Sequence, residues 1–233
     1  MPSASPQTKL IQVNPKLQRA NSIVVDIGDH YLVVTGLKKK SKNRKTGAML
    51  QTFFIDKSKL ISEPKIFGSG CGDCPLNDEC YVNKEKLAVR AAVGRLVRGE
   101  PTSYVWCSWQ ELMVLIENRA VRWGSYGDPS VLGVKKFEEA SRVIDFHTGY
   151  THFWRDHPEL APFLMASVED QAGQLLAVAL GFRTFTVLRE NAEPPSNSIL
   201  CPSNRGIQCI NCRLCDGKKS TEDMRKNIHI PLH

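Results

Sequence analysis

Short apolar runs alternate with polar segments along most of the chain, and their lengths predict strands and helices. Residues 31–36 and 49–55 are two such runs, separated by a segment rich in lysine and arginine. Short apolar runs bounded by glycine or polar residues are typical of buried strands. These two runs are therefore predicted to form a hairpin with a basic tip.

Two helices are predicted between this hairpin and residue 120. Residues 84–98 place apolar side chains near helical spacing, and Asn83 is a suitable N-cap for them. Residues 108–118 open with Ser108 and carry Glu111 further into the first turn, which is the pattern of a capping box.

Strand-like and helix-like segments alternate after residue 120, which indicates βα units and a largely parallel sheet. Polar residues recur where these strands end, so the predicted fold class is α/β, a partial (β/α) barrel-like parallel sheet. Residues 1–22 are predicted to be a flexible N-terminal arm, and residues 23–233 a single metal-stabilised domain. The predicted strands are 120–124, 145–152, 163–168, 182–188 and 227–232, and the helices are 130–143 and 170–180, the last stopped by Gly181.

Composition agrees with a globular domain. The chain has 233 residues, of which 42% are hydrophobic, and that fraction excludes a disordered protein. The opening residues lack the apolar core of a secretory signal, and no apolar run is long enough to span a bilayer. We therefore expect a cytoplasmic protein with no membrane partner; the oligomeric state stays open.

Seven of the eight cysteines fall in two short groups, with spacings C-x2-C-x5-C and C-x7-C-x2-C-x2-C. Thiols stay reduced in the cytoplasm, and a C-x2-C pair lets two sulfurs reach one metal. The second group is closer to a bacterial ferredoxin run than to a zinc ribbon, so an iron–sulfur cluster is predicted, with zinc as the alternative. Cys107, between Trp106 and Trp109, is predicted to be a core residue. The predicted metal ligands are Cys71, Cys74, Cys80, Cys201, Cys209, Cys212 and Cys215.

The first group leaves three interpretations open. It can be a zinc site completed by a histidine or by an acid such as Asp78. It can share one site with the second group. It can also hold an iron–sulfur cluster with one iron left open, and an open coordination position is what makes a metal site catalytic.

Several motifs carry a resemblance to known proteins over residues 31–217. They are 43–47 (NRKTG), 71–81, 125–129 (SYGDP), 149–152 (GYTH), 166–168 (ASV), 181–185 (GFRTF) and 201–217. In this order they resemble a family of uncharacterised bacteriophage and actinobacterial proteins, and more distantly phage proteins with a radical-SAM-like barrel.

The resemblance implies a cofactor and a compartment. In radical-SAM-like barrels, a three-cysteine loop after the first barrel strand binds a 4Fe–4S cluster whose open iron takes S-adenosylmethionine. Cys71, Cys74 and Cys80 follow the strand 49–55 and match that loop, although its usual spacing is C-x3-C-x2-C. A phage origin implies the cytoplasm of the host cell.

Three polar residues at predicted strand ends are candidates for catalysis: Asp128, His152 and Glu169. Such ends are where parallel α/β folds place active sites. Asp128 is either the cap of the next helix or a general base or nucleophile. His152 is a base, metal ligand or phosphate donor, or a structural residue. Glu169 follows the same positional logic, with helix N-terminal charge as its alternative.

The net charge of +7 is concentrated locally. Six of the eight residues 38–45 are basic, namely Lys38, Lys39, Lys40, Lys42, Arg44 and Lys45. Such a run is often only a solvated loop. It can also bind the phosphates of DNA or RNA with little sequence specificity, through counterion release.

Three functional hypotheses follow. The first is an iron–sulfur enzyme with a trimmed radical-SAM-like barrel that acts on nucleic acid or nucleotides. The second is a non-enzymatic, metal-stabilised module that binds nucleic acid or a host protein. The third is a zinc-stabilised base-exchange enzyme, similar to a transglycosylase, with Asp128 as nucleophile.

Overall fold

The computed structural model describes residues 13–62 and 86–232, and it confirms an α/β fold. Within these two ranges, ten strands form one mostly parallel sheet, in the order β4-β1-β2-β3-β5-β6-β7-β8-β10-β9. The first cysteine group and Asn83 lie outside the described residues. The strands are β1 Ser22–Asp26, β2 His30–Thr35, β3 Leu50–Asp56, β4 Tyr104–Trp106, β5 Ala120–Tyr126, β6 Phe146–Thr151, β7 Met165–Val168, β8 Thr184–Leu188, β9 Ser198–Leu200 and β10 Asn227–Pro231.

Seven α-helices accompany these strands within the described ranges. They are α1 Pro15–Arg19, α2 Lys57–Ser62, α3 Lys86–Val97, α4 Trp109–Leu115, α5 Gly133–Ser141, α6 Gln171–Ala179 and α7 Cys209–Cys212. No helix of the described chain is both long and apolar enough to cross a bilayer.

The predicted hairpin is present, because β2 and β3 pair antiparallel from His30↔Asp56 to Thr35↔Gln51. Two further strands were not predicted. Strand β1 precedes the hairpin and pairs antiparallel with β2, and the short β4 follows the hairpin and pairs parallel with β1. The prediction of a flexible arm is wrong for residues 15–22. Pro15–Arg19 is a helix whose Leu17 is only 1% exposed, and Ser22 already belongs to β1.

From β3 to β8 each parallel strand lies beside the next one in the chain, with β4 set apart at the other edge. The strand order therefore has no reversal in this stretch, unlike a doubly wound sheet, which reverses at its ligand site. The carboxyl ends of β5, β6 and β7 consequently lie side by side at one edge of the sheet.

Alternate residues along each strand face opposite sides of the sheet, and the contacts of β7 show which elements cover each side. Ala166 and Val168 pack in the main core with Phe137 of α5 and Ala177 of α6. Met165 instead packs with Cys201 and Cys215. The helices α5 and α6 thus cover one face of the sheet, and the second cysteine group covers the other.

Local signals for helix ends are confirmed. Ser108 and Glu111 form the complete capping box of α4. At the end of α6, the amides of Gly181 and Phe182 bond the carbonyls of Val178 and Ala177, which is a Schellman motif with Gly181 at a φ of +92°.

Candidate metal centre

Residues 201–217, here called the cysteine loop, bring the second cysteine group together. Its four cysteines line one cavity of about 10 Å³ against the face of β6 that carries Thr148 and Tyr150. That space admits about one water molecule. The four cysteines of the second group therefore share one cavity, and their role as metal ligands stays a prediction.

Two tight turns fold the cysteine loop around this cavity. Cys201 precedes a 3-10 turn, Pro202–Arg205, which ends at Gly206 with a φ of +81°. Cys209 and Cys212 lie one turn apart on α7, which ends where Arg213 adopts a φ of +57°. This left-handed residue reverses the chain and returns Cys215 to the cavity.

Buried hydrogen bonds anchor the loop to the sheet. The Gly149 amide of β6 donates to the Cys215 carbonyl at 3.1 Å. Arg183, at 3% exposure, donates to the carbonyls of Leu214 and Lys226. A buried guanidinium needs such acceptors, so Arg183 ties both ends of the Cys215–β10 connection to the sheet.

Burial favours the protonated form of three of these thiols, those of Cys209, Cys212 and Cys215. Desolvation raises the pKa values of Cys209 and Cys212, and it raises the pKa of Cys215 to about 12. Two nearby groups oppose the shift: Arg122 of β5 favours the Cys209 thiolate, and a hydrogen bond from Tyr150 favours that of Cys215. Ligation of a metal would displace these protons.

The described cysteines are all free thiols, including the buried Cys107, which is the predicted core residue. Within the described ranges, no three Cys, His, Asp or Glu side chains converge closely enough to hold one metal ion. The four cysteines thus surround a common space without closing on a single ion position. Cys71, Cys74, Cys80 and Asp78 lie outside the described residues, so a site shared by both groups stays a prediction.

The three catalytic candidates lie where the strands predicted them, after the carboxyl ends of β5, β6 and β7. The Asp128 carboxylate is 3% exposed and accepts bonds from the Ser130 amide, the Thr151 hydroxyl and the His152 amide, at 2.7 to 2.9 Å. It caps the 3-10 turn Pro129–Leu132. This geometry favours the capping interpretation over direct contact with a substrate.

His152 and Glu169 differ in their relation to this carboxylate. His152 Nδ1 is 3.8 Å from Asp128 Oδ2, and its side chain is 24% exposed. Glu169 forms no hydrogen bond or ion pair with either residue, and the N-cap of α6 is its neighbour Asp170. The structure therefore pairs Asp128 with His152 and leaves Glu169 apart.

The basic loop, residues 38–45, forms the tip of the β2–β3 hairpin, as predicted. All six of its cations are exposed, and none forms an ion pair with a described acid. Its backbone is ordered at the start, where Asn21 Oδ1 accepts from the amides of Lys38 and Lys39, and at the end, where Asn43 Oδ1 accepts from those of Lys45 and Thr46.

Arg122 and Arg183 are site residues that the sequence patterns did not single out. Arg122 lies inside β5, in 121–123 (VRW), and Arg183 directly precedes β8, in 182–184 (FRT). A cation at such a position needs a buried acceptor or anion, and that requirement is the signal that would have identified both.

Comparison of the chain with family models, with curated proteins and with solved structures found no match.

Proposed function

We propose that the chain is an iron–sulfur protein that acts on nucleic acid, with a cluster held by the second cysteine group. The observation that carries this proposal is the single cavity lined by Cys201, Cys209, Cys212 and Cys215. Four thiols gathered without disulfides on one sheet face are the donor set of a sulfur-ligated metal.

The spacing of the cysteines supports iron–sulfur over zinc. The run Cys209-x2-Cys212-x2-Cys215 is closer to a bacterial ferredoxin motif than to the two separated C-x2-C pairs of a zinc ribbon.

The surrounding residues fit a buried anionic cluster. Arg122 supplies positive charge beside Cys209, and Tyr150 donates a hydrogen bond to Cys215. Hydrogen bonds to ligand sulfurs and nearby charge set the reduction potential of such a cluster. Four cysteine ligands leave no open iron, so when bound the cluster would supply electron transfer or stability at this site.

The enzymatic part of the proposal belongs to the first cysteine group. An open-iron cluster at Cys71, Cys74 and Cys80, with S-adenosylmethionine, follows from the resemblance to radical-SAM-like proteins. The unreversed order of strands β3 to β8 supports a partial barrel, and the carboxyl edge that carries Asp128 and His152 is where such a fold would act. The basic loop supports nucleic acid as the partner.

Anaerobic purification, followed by absorbance, iron, sulfide and zinc analysis, tests the metal. Two variants separate the groups: one with Cys71, Cys74 and Cys80 changed to Ala, and one with Cys209 and Cys212 changed to Ser. We expect the first variant to retain the charge-transfer absorbance of one cluster and four irons with four sulfides, which the second group would hold.

The control is Cys107→Ser, which changes the described cysteine outside the cavity and should leave the iron content as it is. A colourless protein with stoichiometric zinc would show that the site holds zinc and no iron–sulfur cluster. If the protein with all three first-group cysteines removed binds no metal at all after reconstitution, the proposed centre does not exist.

A further inference from the structure

The basic loop and the cysteine loop lie against each other, although they are far apart in the chain. We propose that they form one nucleic-acid-binding surface whose affinity depends on metal at the cysteine site. This inference rests on the proposed function, and it adds how the metal and the nucleic acid are connected.

Three consecutive contacts join the two loops. The Cys209 amide donates to the Lys45 carbonyl at 2.8 Å, and the Ile210 amide to the Thr46 carbonyl at 3.3 Å. The Gln208 side chain donates to the Arg44 carbonyl at 3.2 Å. The end of the basic loop therefore runs alongside the start of α7, and one of the residues that binds it is a proposed metal ligand.

The packing at this junction is close. Gly47 has a φ of +71°, and a Cβ atom there would lie 2.7 Å from Gln208 Oε1 and 3.0 Å from Ile210 Cγ2. The positive φ favours glycine at this position. The side chains of Gln208 and Ile210 lie against Gly47, so a movement of residues 208–210 would be transmitted to the basic loop.

The other end of the basic loop is fixed to the sheet. Arg119 donates to the carbonyls of Gly36 and Leu37, and Asn21 holds the amides of Lys38 and Lys39. With one end fixed here and the other on the cysteine loop, the positions of the six cations depend on both anchors.

The metal would determine whether the second anchor is ordered. Helix α7 has four residues and no side-chain hydrogen bond at its N-cap. A single turn of helix is unstable by itself, because nucleation costs more than one hydrogen bond returns. Ligation through Cys209 and Cys212 would hold this turn, and with it the donors to Lys45 and Thr46.

The charges favour nucleic acid over a lipid surface. The six exposed cations have no described acid to neutralise them, so phosphates can reach them. Residues 38–45 contain no apolar side chain that could enter a bilayer. The cysteine loop adds a further exposed cation, Arg205.

Fluorescence anisotropy with a labelled DNA duplex and with a single-stranded RNA, over a series of salt concentrations, tests the surface. Lys39→Gln with Arg44→Gln should weaken binding. The slope of log K against log salt concentration should become about 2 less steep, since each lost phosphate contact contributes about 0.9. Lys135→Gln with Arg142→Gln is the matched control, because it removes the same charge from exposed positions on α5 and at its C-cap, across the sheet.

The metal dependence is tested by chelation and by Cys209→Ser with Cys212→Ser, which keep all six cations. We expect both to weaken binding to about the extent of the loop variant, while Cys107→Ser does not. Folded, metal-free protein that binds with unchanged affinity overturns the coupling and leaves the metal centre intact. Equal losses in the loop variant and in its control, or equal binding to anionic vesicles, overturn the surface. Absence of any metal in the purified protein overturns the proposed function and the coupling together.

Discussion

At the scale of residues, the buried His147 links stability to pH. Its Nε2–H donates to the Phe163 carbonyl at 2.8 Å. Burial, and to a lesser extent the charge of Lys219, lowers the pKa of His147 from 6.5 to about 4. Between pH 6.5 and pH 4 the unfolded chain therefore binds a proton on this histidine that the folded protein does not bind. The free energy of unfolding should be highest above pH 6.5 and fall by up to about 3 kcal/mol as the pH decreases to 4.

Denaturant unfolding measured from pH 7 to pH 4 checks this. His147→Gln removes the titrating group, keeps a donor for Phe163, and should flatten the pH dependence. His157→Gln changes a histidine whose side chain is 44% exposed and should keep the slope of the unchanged protein. Parallel pH profiles for the two variants would contradict the role given to His147.

Asp128 provides a second test at this scale. Asp128→Asn replaces one of two acceptor oxygens by a donor, so one of its three buried hydrogen bonds must be lost. We expect a destabilisation of about 1–3 kcal/mol. Asp170→Asn makes the same change at the exposed N-cap of α6, where asparagine caps as well as aspartate, and should be nearly neutral. Equal changes in melting temperature would show that Asp128 does not act mainly as a buried cap.

Local residue patterns predicted local structure well. The capping box at Ser108, the helix stop at Gly181 and the gathering of Cys209, Cys212 and Cys215 all depend on neighbours within a few turns. The patterns failed where long-range contacts decide the structure. Leu17 is buried in a core cluster that also contains Leu112 and Phe182, far along the chain, and Tyr150 meets Cys215 only through the folded sheet.

At the scale of elements, the cysteine loop ends in a close approach that only glycine permits. Gly217 has a φ of +81°, and a Cβ there would lie 2.7 Å from the backbone of Ala161, Pro162 and Phe163. Gly206 has the same φ, but a Cβ there would meet nothing within 4 Å. The two positions thus share the same backbone conformation and differ only in the room available for a side chain.

Gly217→Ala and Gly206→Ala separate these two effects. Both should cost the roughly 1–2 kcal/mol of placing alanine in a left-handed conformation. Gly217→Ala should lose more and also lower the metal content, because the backbone contact that positions Cys215 must open. Thermal unfolding and metal analysis measure both, and identical losses in the two variants would contradict the close-approach argument.

Among the elements, β2, β3, β5, β7 and β8 were recognisable as short runs rich in apolar residues, and β6 by its alternating pattern. Strand β4 has only three residues, and its pairing with β1 joins segments about eighty positions apart in the chain. No local pattern specifies such a partner. The same holds for the contact between the basic loop and the cysteine loop, which the spacing of either segment alone does not predict.

At the scale of the whole molecule, metal should raise stability because the folded chain presents the four thiols together and the unfolded chain does not. Removal of the metal by an anaerobic chelator should lower the melting temperature by several degrees, since about 1 kcal/mol corresponds to a few degrees in a chain of this length. The Cys209→Ser, Cys212→Ser protein should already melt at the lower temperature and not respond to the chelator. A response as large as that of the unchanged protein would place the stabilising metal elsewhere.

The insertion of β10 between β8 and β9 has a consequence for the order of assembly. Within the described sheet β9 pairs with β10 alone, so it cannot join the sheet before β10 does, although it comes earlier in the chain. The connection 201–226 must therefore close as a long loop, and loop closure before pairing slows folding. A metal ligated early between Cys201 and Cys215 would shorten the free part of that loop. Refolding should accordingly be faster when metal is present from the start than when it is added to the refolded chain, which makes the cysteines a kinetic aid to completing the sheet edge.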